Sequence, residues 1–495
     1  MYNAYITRIK NMHKHPNADR LQIGECFGNA VIVSMEYEDN QLGVYFPSDG
    51  QLSVEFAEVN NLLRKKDENG NNVGGYMDPD KRNVTAIKLR GEKSDGLFLP
   101  LKALESFGDI TTLREGDRID NFNGHEICCK YVPRKQNRRG HYSEGNKTRK
   151  KKVPTAPLFA EHADTEQLAY NLAAFKPGDE IEITLKMHGT SQRTGYLPVL
   201  KSYKKDFWGR IIACVNPEKR MGKLAKKLYE KALNLATPIY DWGYVSGTRR
   251  VVLENYEGGF YGDNQFREQH SKVFEGKLNK GETVYYEVVG FTTSGAPIMG
   301  DANNKKLNDK EFIKQYGETT RFSYGCHPIA DEVLYEKEED GFYSFKKPRP
   351  QSDIYVYRMT MTNEDGFVVE YTPDFMRYRC EQMGVKCVPV FAKVYVREDA
   401  VLAHHTDGSV SGGHLPEETS YGDAVRMIAE QFYDGPDPIG KTHVREGVVV
   451  RILNRPKFAA YKHKNWFFKA LEGIVKVEAE APDIEEAESI ENDTE

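Results

Sequence analysis

Four short segments rich in β-branched and aromatic residues constrain the fold more than any other feature of this sequence. They read "EIEITLKMHG" (180–189), "VYYEVVGF" (284–291), "DIYVYRMTMT" (353–362) and "REGVVVRIL" (445–453). Short runs of this composition, bounded by glycine or charged residues, are typical of β-strands. Helical patterns over 216–237 and 372–384 lie between them, and Gly384 suits a left-handed helix end. Residues 155–476 are therefore predicted to form an α+β domain built around antiparallel strands.

The first 132 residues show a different pattern, in which short apolar runs are separated by Gly, Asn and Asp. The runs include "AVIVSM", "LGVYFP", "VTAIKLRG" and "GLFLPL", and they predict a small OB-like β-barrel module over 1–132. A basic stretch follows at 134–152, with nine Lys and Arg against the single Glu144. It has no apolar period, so 133–154 is predicted to be a linker, although its charge also suits contact with a phosphate backbone.

Charge and cysteine usage narrow the class of protein. The net charge is −5, but 477–495 contains nine acidic residues and no basic ones, so the remainder carries +4. That acidic tail is predicted to be disordered. Seven scattered cysteines without a C-x-x-C pair argue against a disulfide framework or a structural zinc site. No apolar run of membrane-spanning length and no signal-peptide pattern occur, so we expect a cytoplasmic protein with no membrane association.

Charged residues at the ends of the predicted strands are the candidates for a functional site. They are Lys186, Glu287, Glu446, Lys462 and Lys464. Taken alone, Lys186 would be an ordinary solvated lysine. A lysine becomes a nucleophile when burial or neighbouring cations favour its neutral form. Because lysines bind phosphate oxygens and carboxylates bind divalent metals or hydroxyls, the set indicates a polyphosphate substrate. The sequence has no P-loop, G-x-S-x-G or H-E-x-x-H motif.

The order of the segments resembles that of the covalent nucleotidyltransferases, which comprise DNA ligases, RNA ligases and mRNA capping enzymes. Lys186-Met187-His188-Gly189 is similar to their K-x-[DH]-G motif, and histidine in the third place favours the RNA ligase branch. Later segments are similar to the remaining motifs in the same order: "SGTRR" (246–250), "YYEVVG" (285–290), "YVYRM" (355–359), "EGVVVR" (446–451) and "KHKN" (462–465). The resemblance implies an ATP-grasp-like antiparallel sheet in the ligase domain.

The resemblance also implies which residues bind the nucleotide. Lys186 would be the catalytic nucleophile that attacks the α-phosphate of ATP and becomes joined to AMP. Arg249 would contact the nucleotide or its phosphate, with Arg250 as the alternative. Glu287 would bind the ribose hydroxyls, and Tyr357 would stack on the adenine.

Three further residues would handle metal and phosphate. Glu446 would coordinate Mg²⁺ or Mn²⁺, while Lys462 and Lys464 would hold the α-phosphate as pyrophosphate leaves. Two positions depart from the pattern of many RNA ligases: Arg358 stands where they have Asp, and Ser191 where they have Asn.

The front of the chain has a resemblance of its own. "HPNADRLQIGEC" (15–26) is similar to the start of tRNA-binding OB-folds, and "KLRGEKSDGLFLPL" (88–101) is similar to an OB-like module found in one RNA ligase family of bacteria and phages. An insertion at 198–244 has no counterpart in that family. Its basic helix, 216–237, is predicted to be either an ordinary amphipathic surface helix or a nucleic-acid contact.

Together these features predict an ATP-dependent RNA ligase that seals 3′-hydroxyl and 5′-phosphate ends through lysyl-AMP and an adenylated 5′ end. The expected partner is RNA or a nicked RNA-containing duplex, the expected role is RNA repair, and no obligate protein partner is evident. The alternatives are a DNA ligase, a capping guanylyltransferase, or a nucleic-acid-binding protein whose catalytic domain has decayed.

Overall fold

The computed structural model describes most of the chain. The described residues are 2–66, 72–131, 153–162, 165–215, 223–253, 256, 264–300, 306–307, 309–318, 321–326, 335–337, 343–345, 351–417, 419–471 and 475–476. The predicted acidic tail, 477–495, and nearly all of the predicted linker, 133–154, lie outside them. Within the described part, no helix is long and apolar enough to cross a membrane.

The described elements are short strands and a smaller number of helices. The strands up to residue 130 are β1 Ala4–Arg8, β2 Lys10–Lys14, β3 Leu21–Cys26, β4 Asn29–Ser34, β5 Leu42–Phe46, β6 Gly50–Leu52, β7 Lys65–Lys66, β8 Asn72–Gly74, β9 Asn83–Val84, β10 Ala86–Leu89, β11 Glu92–Ser94, β12 Leu97–Pro100, β13 Arg118–Ile119, β14 Asn121–Phe122, β15 His125–Glu126 and β16 Cys128–Lys130. The later strands are β17 Glu166–Gln167, β18 Glu180–Leu185, β19 Thr190–Tyr203, β20 Pro238–Gly247, β21 Glu282–Gly290, β22 Tyr335–Lys337, β23 Tyr343–Phe345, β24 Ser352–Thr362, β25 Val368–Glu370, β26 Lys386–Cys387, β27 Val390–Val396, β28 Ala400–His405, β29 Val410–His414, β30 Gly447–Ile452, β31 Ala459–Lys464 and β32 Val475–Lys476. The α-helices are α1 Val54–Val59, α2 Phe207–Ala213, α3 Lys223–Leu235, α4 Gln265–Lys272, α5 Lys310–Tyr316, α6 Pro373–Met383, α7 Tyr421–Tyr433 and α8 Trp466–Leu471, and the 3-10 helices are Leu101–Phe107, Ile110–Thr112, Leu168–Tyr170 and Leu172–Ala174.

One compact unit combines the front of the chain with two later segments. It takes in the described residues of Met1–His141, Lys306–Glu318 and Trp466–Glu495. Its strands form several short sheets, among them β12-β5-β1-β13, β2-β3-β4 and β16-β6-β9, and in the described residues they do not close into a barrel. The predicted OB-like module therefore stays a prediction. The buried core includes Phe46, Phe56 and Phe107.

The second compact unit takes in the described residues of Tyr142–Lys305 and Thr319–Asn465. The predicted boundaries at 132, 154 and 476 stay a prediction; the contacts group α5 and α8, which lie within 155–476, with the first unit. One sheet of the second unit has the order β17-β31-β30-β18-β27-β28-β29. Ile181 and Ile183 of β18 alternate with more polar residues and pack in a core with α7, as the period of two predicts.

The other large sheet of this unit has the order β20-β19-β21-β24-β25, with β26 beside β24. Its core contains Tyr286 and Val288 of β21 and Met376 and Cys380 of α6. Helix α6 begins after Thr372, whose side chain accepts from the N–H of Phe375, and ends at Gly384 with φ 69°. The mixed α+β architecture, the antiparallel sheets and this helix are as predicted; the first part of the predicted helix 216–237 lies outside the described residues, and α3 covers the rest.

Candidate active site

Strand pairing brings three of the predicted site residues together at the strand ends of the sheet β17-β31-β30-β18-β27-β28-β29. Strand β30 lies between β18 and β31 and is antiparallel to both. Lys186 follows β18 directly, and its N–H donates to the carbonyl of Gly447 at 3.0 Å. Glu446 immediately precedes β30, and Lys464, the last residue of β31, is paired with Gly447. The end of one strand thus meets the start of the next, although Lys186 and Glu446 are 260 residues apart.

Glu446 is the centre of this cluster. Its Oε1 forms an ion pair with Nζ of Lys186 and lies 3.4 Å from Nζ of Lys464, while its Oε2 lies 3.6 Å from Nδ1 of His188. The Glu446 side chain is only 3% exposed. Burial raises the pKa of this carboxyl, but Lys186, Lys464 and His188 outweigh burial and hold the pKa well below its usual range. Glu446 is therefore a carboxylate in the described state.

Glu287 belongs to the sheet β20-β19-β21-β24-β25 and lies close enough to Lys186 and Glu446 for their charges to affect its pKa. It lies on β21, paired with Ser191 of β19. Gly189 makes the approach possible, because a Cβ there would meet the carbonyl oxygen of Val288 at 2.4 Å and Cγ of Glu287 at 2.8 Å. Burial raises the pKa of Glu287 to about 7, with a further increase from Glu446 and an opposing effect of Lys186.

Tyr357 is placed by contacts of its ring and hydroxyl. Its hydroxyl is 2.8 Å from Oγ of Ser191, and its ring centroid is 5.2 Å from that of His162. Burial raises the pKa of Tyr357 above its usual value, so the phenol stays neutral at physiological pH. Ser191, one of the two departures from the family pattern, thus holds the residue proposed to stack on adenine.

Arg358, the other departure, is part of a buried ionic cluster. Its Nε lies 3.0 and 3.1 Å from the two carboxylate oxygens of Glu370, and its Nη1 is 3.1 Å from Nδ1 of His162. Its guanidinium also lies over the rings of Tyr285 and Phe458, at 4.5 and 4.6 Å. Arg358 therefore supports His162, which packs against Tyr357, from behind.

Two further predicted residues, Arg249 and Lys462, belong to segments next to the cluster. Arg249 follows β20 and is exposed; its positive charge lowers the pKa of both Glu287 and Tyr357. Lys462 is half-buried and lies two residues before Lys464, so both belong to the same face of β31. The roles assigned to these residues stay predictions.

Sequence reasoning did not find several residues that shape the site. The hydroxyl of Tyr324 accepts from the N–H of His188 at 2.6 Å, and Phe322 packs edge-on against the His188 ring at 4.9 Å. Arg267 donates from Nη2 to Oγ1 of Thr190 at 2.6 Å. These residues come from segments without a recognisable motif, and they meet the K-x-H-G turn only in the folded chain.

Glu446 is the residue of this cluster that could bind a metal ion, with substrate phosphates as the other ligands. Among the described residues, no three His, Cys, Asp or Glu side chains converge into a protein-only metal site. Glu446 is a buried carboxylate, the ligand type that Mg²⁺ and Mn²⁺ prefer. One or two carboxylates with substrate phosphates completing the shell are usual for Mg²⁺, so the residues fit such an ion.

Comparisons with known proteins agree with this picture at the level of the fold. No protein-family model and no curated protein sequence matches the chain. Two solved structures of variants of the Naegleria gruberi RNA ligase, one apo and one with ATP and Mn, are similar to it with TM-scores of 0.50 at 16% identity. In both cases the match covers 95% of this chain and 98% of that chain. At this identity the likeness concerns architecture, so this chain has a fold like that of an RNA ligase.

Proposed function

We propose that this protein is an ATP-dependent RNA ligase that joins 3′-hydroxyl and 5′-phosphate ends and repairs broken RNA in the cytoplasm. The observation that carries the proposal is the placement of Lys186 against Glu446, with Lys464 on the same carboxylate. A nucleophile, a buried carboxylate and a second cation are what transfer of a nucleotidyl group onto an amine requires. The ligase-like fold supports the same conclusion.

In the first step, Nζ of Lys186 attacks the α-phosphorus of ATP. The bond from that phosphorus to the bridging oxygen breaks, pyrophosphate leaves, and the lysine carries AMP. The Lys186 ammonium, which is paired with Glu446, gives up a proton to solvent before the attack. Lys464 is positioned to offset negative charge on the transferring group.

Two further steps reuse the same pocket. AMP passes from Lys186 to the 5′-phosphate of RNA, forming a 5′–5′ linked adenylate. The 3′-hydroxyl then attacks that activated phosphate, and AMP leaves. Glu287 accepts from the ribose hydroxyls and Tyr357 stacks on adenine, held by Ser191. Fixing the same adenylate in all three steps lowers the entropic part of each barrier.

A divalent metal, Mg²⁺ or Mn²⁺, would be held by Glu446 together with phosphate oxygens of ATP. When bound, it would withdraw charge from the phosphate and assist departure of pyrophosphate.

The first step can be tested directly. The protein is incubated with Mg²⁺ and ATP labelled at the α-phosphate, then denatured, and acid-labile label or an added mass of about 329 Da is measured. We expect label on the wild type and on Lys457→Ala, an exposed control on the β30–β31 connection, and none on Lys186→Ala.

Three other results would replace the proposal. Label from GTP instead of ATP would indicate a capping guanylyltransferase, and sealing restricted to DNA 3′ ends would indicate a DNA ligase. RNA binding without label from either nucleotide would indicate a nucleic-acid-binding protein that has lost catalysis.

A further inference from the structure

The insertion at 198–244 forms a long ribbon with helices at its far end. Strands β19 and β20 pair from Arg193 with Gly247 out to Tyr203 with Pro238. The first residues of β19 are in the candidate active site, where Ser191 pairs with Glu287. From Ser191 to Tyr203 an extended strand spans about 40 Å. The ribbon therefore leads from the site to the helices α2 and α3, which with the other described residues of 204–237 we call the helical tip.

The helical tip has an excess of positive charge. Its described, exposed cationic side chains are Lys204, Lys205, Arg210, Lys226, Lys227 and Lys231. The acidic residues in its described part are Asp206 and Glu230. Asp206 serves as the cap of α2, its Oδ1 accepting from the N–H of Gly209 at 2.8 Å. Six cations against two acids on so small an element form an attractive surface for a polyanion.

An aromatic side chain stands among these cations. Phe207 is 69% exposed, while its neighbour Trp208 packs edge-on against it, with ring centroids 5.0 Å apart. Nζ of Lys231 on α3 lies 5.5 Å from the Trp208 ring, which joins the two helices. Trp208 therefore has a structural role within the tip, and the Phe207 side chain is left exposed.

An open cleft runs along α2 beside this ring. Its volume is about 640 Å³, and Lys205, Phe207, Arg210, Ile211 and Cys214 contribute to its lining. The cleft thus combines an exposed ring with a cation on either side of it in sequence. Proteins that hold single-stranded nucleic acid use this combination, because bases stack on aromatic rings while Lys and Arg contact the phosphates.

We propose that the helical tip binds an unpaired segment of the RNA substrate, several nucleotides from the ends being joined. An unpaired base stacks on Phe207, and Lys205 and Arg210 contact the flanking phosphates. The proposal rests on the proposed ligase function, which places RNA ends at the base of the ribbon. Unpaired RNA is favoured over a duplex because a paired base has no free face for the ring.

Binding is tested with the full-length protein and a fluorescently labelled single-stranded RNA that lacks a 5′-phosphate and so cannot be sealed. The double variant Lys205→Ala/Arg210→Ala should flatten the slope of log Kd against log salt by about 1.4, since each phosphate contact on a single strand contributes about 0.7. Phe207→Ala should raise Kd by about 5- to 100-fold with little change in that slope.

Matched controls distinguish RNA binding at the helical tip from non-specific attraction of RNA to any exposed lysine or aromatic ring. Phe367, 71% exposed in the same unit, provides the aromatic control Phe367→Ala. The exposed Lys176 and Lys272 provide the charge control as the double variant Lys176→Ala/Lys272→Ala. Both controls should bind RNA as the wild type does. Equal losses in tip and control variants would overturn the proposal, as would tip variants that bind RNA normally but lose binding to anionic vesicles or to an acidic protein.

Self-adenylation with labelled ATP is measured on the same variants. The tip does not form part of the proposed nucleotide site, so the rate should match the wild type. If the wild type itself takes no label, the ligase function fails while the RNA-binding result still stands. If label forms normally but the tip variants bind RNA unchanged, only the inference about the tip fails.

Discussion

At the scale of single residues, two carboxyl groups in one site have their pKa values moved in opposite directions. Glu446 pairs with two lysines, which hold its pKa low, whereas burial raises the pKa of Glu287 to about 7. Two carboxyl groups with widely separated pKa values are characteristic of catalytic sites, because the two groups then differ in protonation state at the same pH. Glu446 is therefore ionised at neutral pH, whereas Glu287 changes its protonation state near pH 7.

The raised pKa of Glu287 predicts how stability depends on pH. The folded state holds a proton on Glu287 up to about pH 7, whereas in the unfolded chain the carboxyl ionises near its ordinary value of 4.5. The contribution is complete below the unfolded value and is lost as pH rises through 7. In Glu287→Gln this loss should be absent, so the wild type should lose about 1–3 kcal/mol more than the variant between about pH 5 and 8.

Urea unfolding of both proteins across that range measures the difference, with Glu36→Gln as the control at an exposed glutamate. Parallel curves for wild type and Glu287→Gln would show that Glu287 ionises normally in the folded protein.

The same residues show what sequence can predict about a site. Lys186, Glu446 and Lys464 could be grouped from the sequence because each stands at the end of a short strand-like run, and because the three segments resemble motifs of one family in the same order. Tyr324 and His162 were not, because each contacts the site through a tertiary packing arrangement that leaves no local pattern. In the sequence, Arg358 was noticed only because it stands where many RNA ligases have Asp. The structure shows that the arginine pairs with Glu370.

At the scale of elements, the pairing of β30 with β31 determines where Lys464 lies relative to Glu446. Gly447, at the start of β30, has φ 140°, and a Cβ there would meet the carbonyl oxygen of His463 at 2.0 Å and Cα of Lys464 at 2.9 Å. Both obstacles are backbone atoms, so the strands must separate to accommodate a side chain.

Gly447→Ala should therefore lower the free energy of unfolding by about 2 kcal/mol or more and reduce the rate of self-adenylation by at least about 100-fold. Gly384→Ala is a suitable control: it also has positive φ, but a Cβ there meets no atom within 4 Å, so it should cost about 1 kcal/mol and leave adenylation intact. Normal adenylation in Gly447→Ala would show that the register of these strands does not control the site.

At the scale of the whole molecule, the two compact units are not consecutive pieces of the chain. Helices α5 and α8 group with the front of the chain, and β32 pairs in parallel with β10. Phe312 of α5 and Phe468 of α8 are fully buried, and Lys93 lies 5.5 Å from the ring of Phe467. Sequence patterns predicted domains in linear order because composition changes along the chain, whereas contacts between distant segments have no such signal.

Removal of residues 1–152 should consequently destabilise what remains. Each apolar side chain of α5 and α8 that becomes exposed forfeits about 1.5–3 kcal/mol of burial. We expect the fragment 153–495 to bind a hydrophobic dye and to associate, as seen by sedimentation, whereas the full chain does neither. A fragment that is monomeric and as stable as the full chain would show that α5 and α8 do not need the front of the chain.

The antiparallel pairing of β18, β30 and β31 has a consequence for biosynthesis. Lys186 is made early, but its carboxylate and cation partners are added only when residues 446 and 464 leave the ribosome. A nascent or prematurely terminated chain therefore contains Lys186 without Glu446 and Lys464, which share an ionic cluster with it in the folded protein. Under the function proposed above, such a chain should take no label from ATP.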